Sequence, residues 1–334
     1  MALEIALICL LLIIGLVLII KGGDYFVDGA SWLAEVSGIP KVIVGATIVS
    51  VATTLPEIVV SLISARAQPD MAIGNAVGSV VFNTGVILAI ALIAKPFKIQ
   101  RKDYAFKGVL LVGVCALLLG FSLINLDFNN LTIKSSSIFG YVGAVALLII
   151  FIVFIVENVI SAKRHALANV DDEKPKKDKK SVIINTLKLI GGAGAIAVGA
   201  ILLKDNAVKL ATIAGISQAV IGVTILAIGT SLPELVTMII AVKKGQGSLS
   251  VGNIIGANTI DIAIILPLSA FIAGGKGLPV ASEHLFLTLP ITLLVISIAI
   301  IPSLIFKKFS RWQGVTIFTI YLAYFVYNIV SVVV

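Results

Sequence analysis

The sequence carries little charge for its length. Lys, Arg, Asp and Glu make up 13% of its 334 residues, whereas a soluble domain of this size carries about a quarter. This shortage excludes an ordinary soluble fold. The hydrophobic residues, 59% of the total, form runs of about 18 or more, the length that crosses a bilayer core of about 30 Å. The chain is therefore predicted to be a multi-pass membrane protein.

Cysteine and histidine are also scarce, with two of each. Cys9 and Cys115 lie within apolar runs, which fits neither a disulfide framework nor a zinc spacing. His165 and His284 are expected in loops, without further ligands around them. We therefore expect neither a bound cofactor nor a site for a soft metal.

The positions of particular residues argue against a cleaved signal peptide and against a nucleic-acid binder. The first apolar run, near residues 3–20, has no basic segment before it and no small-residue cleavage site, so it is predicted to be a retained span. The net charge of +8 could indicate a nucleic-acid binder. The basic residues, however, lie in short loops between apolar runs, which is typical of membrane topology. We expect no nucleic-acid partner.

Apolar runs separated by loop signals predict an all-α polytopic membrane protein with ten transmembrane helices. The second and seventh spans are long and interrupted. The ten spans lie near residues 3–20, 38–65, 71–94, 107–125, 137–159, 182–203, 215–242, 248–273, 286–306 and 314–333.

A polar linker divides the ten spans into two sets of five. The predicted units are an N-terminal half at 1–160, a linker at 161–181 and a C-terminal half at 182–334. The linker's side of the membrane holds 19 of the 25 Lys and Arg, and the opposite loops hold five. By the positive-inside rule the linker is cytoplasmic and both termini are extracellular. The count assigns Lys21 and Lys107 to loops on the linker's side, and Lys204 and Lys209 to the opposite loops.

The two halves repeat each other in sequence. Five spans per half bring the second half into the membrane from the opposite side, so related halves would be inverted repeats. Such repeats with matching interrupted helices are typical of secondary transporters whose site lies at the repeat interface, near the bilayer midplane. The matched segments are Gly38-Ile39 with Gly215-Ile216, Gly45–Ile48 with Gly222–Ile225, Thr53–Glu57 with Thr230–Glu234, Gly74–Gly78 with Gly252–Gly256, and Asn83 with Asp261.

Glu57 and Glu234 lie about midway along apolar spans, where a carboxylate costs several kcal/mol and indicates function. A protonated carboxyl that bridges two helices is the structural alternative, but two such acids related by a repeat favour a site. Pro56 and Pro233 break the helices before them and expose carbonyl oxygens, although a simple kink would also explain a lone proline. Carboxylates with hydroxyls and carbonyls suit a hard cation such as Ca²⁺, while soft metals would need Cys or His.

The second matched segments add further polar groups. Four glycines at a spacing of four (Gly74, Gly78, Gly252 and Gly256) allow close helix packing. Asn83 and Asp261 follow about two turns later and can reach toward the glutamates. We interpret Asp261 either as part of another cation site or as a group that changes protonation during exchange.

These segments resemble the two α-repeats of the cation/calcium exchanger superfamily, and Arg311–Gly314 before the last span is similar to its prokaryotic sodium/calcium exchangers. The resemblance implies an antiporter, not an enzyme, that exchanges Ca²⁺ for Na⁺ across the cell membrane by alternating access, with the first and sixth spans sliding as a pair. It implies no obligatory protein partner. Glu57 and Glu234 would be the central calcium ligands, helped by Thr53 and Thr230. Ser50, Thr54, Ser79, Asn83, Ala227, Ser231 and Asp261 would complete sodium sites, with Ser50 and Ala227 acting through their carbonyls.

The sequence defines the coupling ion less clearly than it defines the calcium ligands. Proton-coupled members carry an extra glutamate shortly after the Gly-Asn of the second segment, and neither Ala76–Ser79 nor Ile254–Ala257 contains an acid. This favours Na⁺. Calcium/proton exchange and, because of Asp261, potassium-dependent exchange stay open, whereas a calcium channel or an intramembrane acid protease fits the repeat less well. Ala257 stands where the family usually has a serine, which removes a hydroxyl from one sodium site.

Overall fold

The computed structural model describes residues 2–124, 137–168, 178–214 and 227–333. Helices α1 to α6 lie before the linker and span Ala2–Ser37, Lys41–Thr53, Leu55–Ala67, Pro69–Ala94, Arg101–Ile124 and Tyr141–Ala168. Helices α7 to α12 follow it and span Lys179–Ile213, Ala227–Thr230, Leu232–Lys243, Gly247–Ala273, His284–Phe306 and Arg311–Val333. Strands β1 to β4 span Phe97–Lys98, Ser137–Gly140, Gly277–Val280 and Lys308–Phe309.

Eight of the described helices are long and apolar enough to cross a membrane, and the pair α2–α3 makes a ninth, broken span with a bend of 50°. This result confirms an all-helical polytopic membrane fold. The break falls at Thr54, so Pro56 lies in the first turn of α3, where its missing N–H costs no helical hydrogen bond. The predicted seventh span begins outside the described residues. Its described part consists of α8 and α9, which are interrupted at Ser231 before Pro233.

The first and sixth spans are much longer than predicted. Helix α1 continues through residues 21–37 and α7 through residues 204–213. At 36 and 35 residues, each is more than 50 Å long at about 1.5 Å per residue, so each is long enough to cross the bilayer at a tilt. The prediction that Lys21, Lys204 and Lys209 lie in loops was wrong, because all three stand within these helices.

Packing explains why α1 does not end at Gly22-Gly23. A Cβ at Gly22 would lie 3.0 Å from the carbonyl oxygen of Gly192 in α7, and one at Gly29 would lie 2.8 Å from the backbone nitrogen of Leu189. Backbones that approach so closely leave room for no side chain, and small residues allow this contact in membranes. The glycines therefore form a helix interface instead of a turn.

Three other boundaries differ from the sequence prediction. Helix α6 continues to Ala168, so the first residues of the predicted linker at 161–181 are helical. Lys107, expected in a loop, is buried in α5 and forms a 3.0 Å ion pair with Glu157 of α6. His165 and His284, also expected in loops, lie in α6 and at the start of α11.

Two short antiparallel ribbons connect loops of the two halves. Strand β1 pairs with β4, with Phe97 opposite Phe309 and Lys98 opposite Lys308. Strand β2 pairs with β3 over Ser137–Gly140 and Gly277–Val280. The all-α expectation did not include these ribbons, which lie between the helices in sequence.

Helices α4 and α10 form the centre of the fold, since most of their residues are buried. Helices α1, α6 and α7 present many exposed leucines, isoleucines and valines, as lipid-facing helices do. Helix α10 packs directly on α2. A Cβ at Gly252 would lie 2.3 Å from the carbonyl oxygen of Val42, and one at Gly256 would lie 2.5 Å from that of Ala46.

Candidate cation site

The two broken helices place one glutamate each at the start of a new helix. Glu57 lies in the first turn of α3 and Glu234 in the first turn of α9. Both are buried, with 1% and 0% of their surface exposed. The N-terminal turn of a helix carries partial positive charge and favours a carboxylate. The break in each span thus provides a favourable position for a buried acid.

Each glutamate is held by a hydroxyl from the other half of the chain. Thr54 Oγ1 donates a hydrogen bond to Glu234 Oε1 over 3.1 Å. In the reciprocal contact, Ser231 Oγ donates to Glu57 Oε1 over 3.2 Å. The two motifs that repeat in sequence therefore meet in space.

The Oε2 atoms of Glu57 and Glu234 have no hydrogen-bond partner among the described residues, and both atoms are fully buried. Burial of a carboxylate oxygen without a partner is costly. A cation that binds both oxygens would compensate this cost.

Thr53 and Thr230 differ in their contacts although they are repeat-related. Thr53 Oγ1 donates to Asn253 Oδ1 over 3.1 Å. Thr230 is also buried, but its hydroxyl has no partner within the described part of the chain. Ser50 is buried on α2, and its hydroxyl bonds to the carbonyl of Thr47 over 3.0 Å.

Helices α4 and α10 add a second polar layer. Ser79, Asn83 and Asp261 are all buried. Asp261 lies within electrostatic range of Glu57 and Glu234. In the described residues, both carboxylate oxygens of Asp261, Asn83 Oδ1 and Ser79 Oγ lack hydrogen-bond partners.

A π-helical turn begins at Asn83 and another at Asp261. Such turns insert an extra residue, frequently at functional sites. Their occurrence at repeat-related positions shows that the halves share this irregularity as well as sequence.

Sequence reasoning missed two asparagines of this layer. Asn83 Nδ2 donates to Asn258 Oδ1 over 3.1 Å, and Asn258 Nδ2 donates to Thr84 Oγ1 over 2.9 Å. Asn253, the partner of Thr53, had been noted only as part of a repeated Gly-Asn pair. Both asparagines interrupt an apolar run, and that feature could have identified them. Asn258 also follows Ala257 directly, so a buried amide stands beside the position that lacks a hydroxyl.

The predicted site residues thus fall into two groups. Ser50, Thr53, Thr230 and the four residues of the crossed contacts lie around the breaks. Ser79, Asn83 and Asp261 lie on the two central helices. Ala227 begins α8. Among the described residues, no three Asp, Glu, His or Cys side chains form a group that could hold one metal ion. An ion at the glutamates would therefore need hydroxyl, amide or carbonyl oxygens as further ligands.

The fold and this site define a helical membrane protein with buried acids where two similar halves meet. A model of the family "Sodium/calcium exchanger protein" matches residues 7–159 and 184–330. The chain belongs to this family, whose members are exchangers and not enzymes.

Individual relatives cover four fifths of the chain or more. Sodium/calcium exchanger MaX1 of Methanosarcina acetivorans is 30% identical over 95% of this chain and 97% of its own. Inner membrane protein YrbG of Escherichia coli is 36% identical over 81% and 82%. A structure of the sodium-calcium exchanger NCX_Mj, soaked with Na⁺ and Sr²⁺, superposes with a TM-score of 0.78 at 28% identity, covering 96% of this chain and 98% of that one.

Proposed function

We propose that this protein is an antiporter that exchanges Ca²⁺ for Na⁺ at a midplane site built around Glu57 and Glu234. The observation that carries the proposal is the crossed pair of contacts, Thr54 with Glu234 and Ser231 with Glu57. Each contact occupies one oxygen of a glutamate, while the other oxygen is buried and has no partner in the described structure. Two such oxygens suit a doubly charged ion.

The remaining donors around the acids are hydroxyls and amides, which are hard ligands. Calcium accepts six to eight oxygens in flexible geometry, whereas Mg²⁺ releases its water reluctantly. Sodium is of similar size and can use the same oxygens with a lower charge. Competition between one Ca²⁺ and several Na⁺ for overlapping donors would couple the two fluxes. We assign Thr53 and Thr230 to calcium, and Ser50, Thr54, Ser79, Asn83, Ala227, Ser231 and Asp261 to flanking sodium positions.

The proposed architecture has ten spans in two inverted five-helix repeats, at 1–160 and 182–334, joined by the cytoplasmic linker 161–181. Both termini would be extracellular. The matching helix breaks before Glu57 and Glu234 and the matching π-turns at Asn83 and Asp261 support the repeat. Close packing of α1 on α7 through glycines supports their movement as one body during alternating access. Neither a cofactor nor an obligatory protein partner is part of the proposal.

A second candidate is exchange that also involves K⁺ or H⁺. The observation that favours it is Asp261, a third buried acid whose two oxygens have no partner among the described residues. This carboxylate could hold a monovalent cation or a proton while the two glutamates hold Ca²⁺.

Radiolabelled calcium uptake into proteoliposomes tests these candidates. Sodium, potassium and proton gradients are imposed in separate runs. In each run the membrane potential is clamped with an ionophore for an ion other than the one whose gradient is imposed. An outward sodium gradient alone is expected to drive calcium uptake. Uptake driven by a pH gradient alone would contradict sodium coupling, and uptake without any counter-ion gradient would contradict exchange.

A further inference from the structure

We propose that the β1–β4 ribbon binds the phosphate headgroup of an anionic phospholipid through Lys98 and Lys308. The ribbon lies on the side of the protein that the Lys and Arg distribution predicts to be cytoplasmic. The proposal concerns a surface separate from the cation site and does not depend on which ions are exchanged.

The two faces of the ribbon differ sharply. Phe97 and Phe309 stand opposite each other, with ring centroids 5.3 Å apart, and Tyr104 contacts Phe309 edge-on at 6.1 Å. Phe309 and Tyr104 are buried. This aromatic face anchors the ribbon to the protein, and the alternation of side chains along a strand turns the next pair outward.

That next pair is Lys98 and Lys308, both exposed and directly opposite in register. Directly opposed residues have Cβ atoms about 4.5–5.5 Å apart, and like charges in this position destabilise a ribbon. The ribbon is only two residues per strand, so the aromatic pair is the one other cross-strand pair in its register. An anion between the two ammonium groups would convert the repulsion into two attractive contacts.

Further exposed cations stand close to this pair in sequence, and they come from both halves of the chain. The segments that lead into α5 and α12, together with the first turns of these helices, each add exposed basic residues. They are Lys95, Arg101, Lys102, Lys307 and Arg311. Within the described structure, none of these residues, nor Lys98 or Lys308, forms a salt bridge. Loops of four to eight such residues beside a membrane are attracted to anionic lipid.

Exposed apolar residues beside the cations indicate a lipid and not a free anion. Trp312 is 50% exposed and Phe306 is 62% exposed, and they are close in sequence to Arg311 and Lys307. Tryptophan is enriched at the membrane–water interface, where its ring lies at headgroup level. A phospholipid offers an acyl chain to these side chains and a phosphate to the lysines, whereas inorganic phosphate offers only the charge.

Native mass spectrometry of the delipidated full-length protein tests the proposal. The protein is titrated in detergent with dioleoylphosphatidylglycerol, with dioleoylphosphatidylcholine, and with inorganic phosphate. The expected result is at least threefold more bound phosphatidylglycerol than phosphatidylcholine, lost in Lys98→Gln/Lys308→Gln. The matched control is Lys163→Gln/Arg164→Gln, which removes two exposed basic residues from α6 and is expected to keep the preference.

A second variant separates loss of lipid binding from loss of fold. Lys98→Glu places opposite charges across the ribbon, so it is expected to raise the thermal stability in lipid-free detergent while it abolishes the phosphatidylglycerol preference. The proposal is overturned if either ribbon variant keeps the preference, if the α6 control loses it equally, or if inorganic phosphate competes at equal concentration. It is also overturned if the wild type shows no preference for phosphatidylglycerol over phosphatidylcholine.

Discussion

Thr54 in the first half of the chain donates a 3.1 Å hydrogen bond to Glu234 in the second half. Ser231 makes the repeat-related contact to Glu57 at 3.2 Å. Each half therefore positions the acid of the other half.

The crossed hydroxyls should contribute to calcium affinity. Thr54→Val and Ser231→Ala each remove one donor to a carboxylate, and hydrogen bonds to charged groups contribute about 1.5–3 kcal/mol. We expect the external calcium concentration for half-maximal uptake to rise about tenfold in each variant, with folding retained. The control is Thr319→Val, whose exposed hydroxyl bonds to its own helix at Val315 and should change nothing. Unchanged calcium dependence in both site variants would contradict the role assigned to these contacts.

Removal of either central carboxylate should abolish exchange. Glu57→Gln and Glu234→Gln keep the shape of the side chain but remove a charge from a buried site, so Ca²⁺ would lack the counter-charge that offsets its dehydration. We expect calcium uptake to fall at least 50-fold in each variant, while size-exclusion chromatography shows a monodisperse protein. Wild-type flux in both folded variants would show that the transported ion binds elsewhere.

The sequence predicted much of this site because its chemistry is carried by short repeated motifs. Thr53–Glu57 and Thr230–Glu234 identified the two acids, their hydroxyls and the helix breaks, and the structure brings the two motifs together. Neither motif, however, reveals that each hydroxyl serves the acid of the other half. That pairing is a tertiary contact between residues separated by more than 170 positions.

The misses have a different physical origin. The first span was predicted to end near residue 20, yet α1 continues because Gly22 packs against the backbone of Gly192. A helix boundary was therefore decided by a distant helix. The same is true of Lys107, which looked like a loop lysine but is neutralised inside the protein by Glu157. The π-turns at Asn83 and Asp261 are backbone irregularities that residue types alone do not specify.

The contact of α10 with α2 should tolerate no added side chain. A Cβ at Gly256 would lie 2.5 Å from both the Ala46 carbonyl oxygen and Ser50 Oγ, closer than any van der Waals contact, so Gly256→Ala must separate the two helices beside the site. We expect a lower melting temperature and at least tenfold slower calcium uptake. Gly113→Ala in α5 is the matched control, since no described atom beyond its chain neighbours and its own helix backbone lies within 4 Å of the added Cβ. There the change should be neutral or stabilising by about 0.5–1 kcal/mol.

The contribution of Gly256 can be separated from general helix effects by comparing the two alanine variants in one assay. Equal melting temperatures and equal uptake would mean that α2 and α10 yield to the methyl group. The close backbone approach would then have no role in holding Ser50 and the first glutamate in place.

The buried ion pair between α5 and α6 should respond asymmetrically to removal of its partners. Lys107 is 1% exposed whereas Glu157 is 26% exposed. Glu157→Gln leaves the buried Lys107 without a counter-charge, and breaking a fully buried pair in this way costs about 3–5 kcal/mol. We expect a smaller loss of stability here, about 2–3 kcal/mol, because Glu157 is partly exposed and the pair is therefore not fully buried. Lys107→Met should cost less, since the remaining carboxylate can be hydrated. Lys107→Met/Glu157→Met should recover most of the lost stability.

Thermal unfolding in detergent measures the stability of the three variants. The control is Glu35→Gln, which breaks the exposed 2.8 Å pair with Lys41 and has an expected effect of about 0–1 kcal/mol. A double variant as unstable as Glu157→Gln, or an equal loss from Lys107→Met, would show that the pair stabilises the protein through packing and not through compensation of a buried charge.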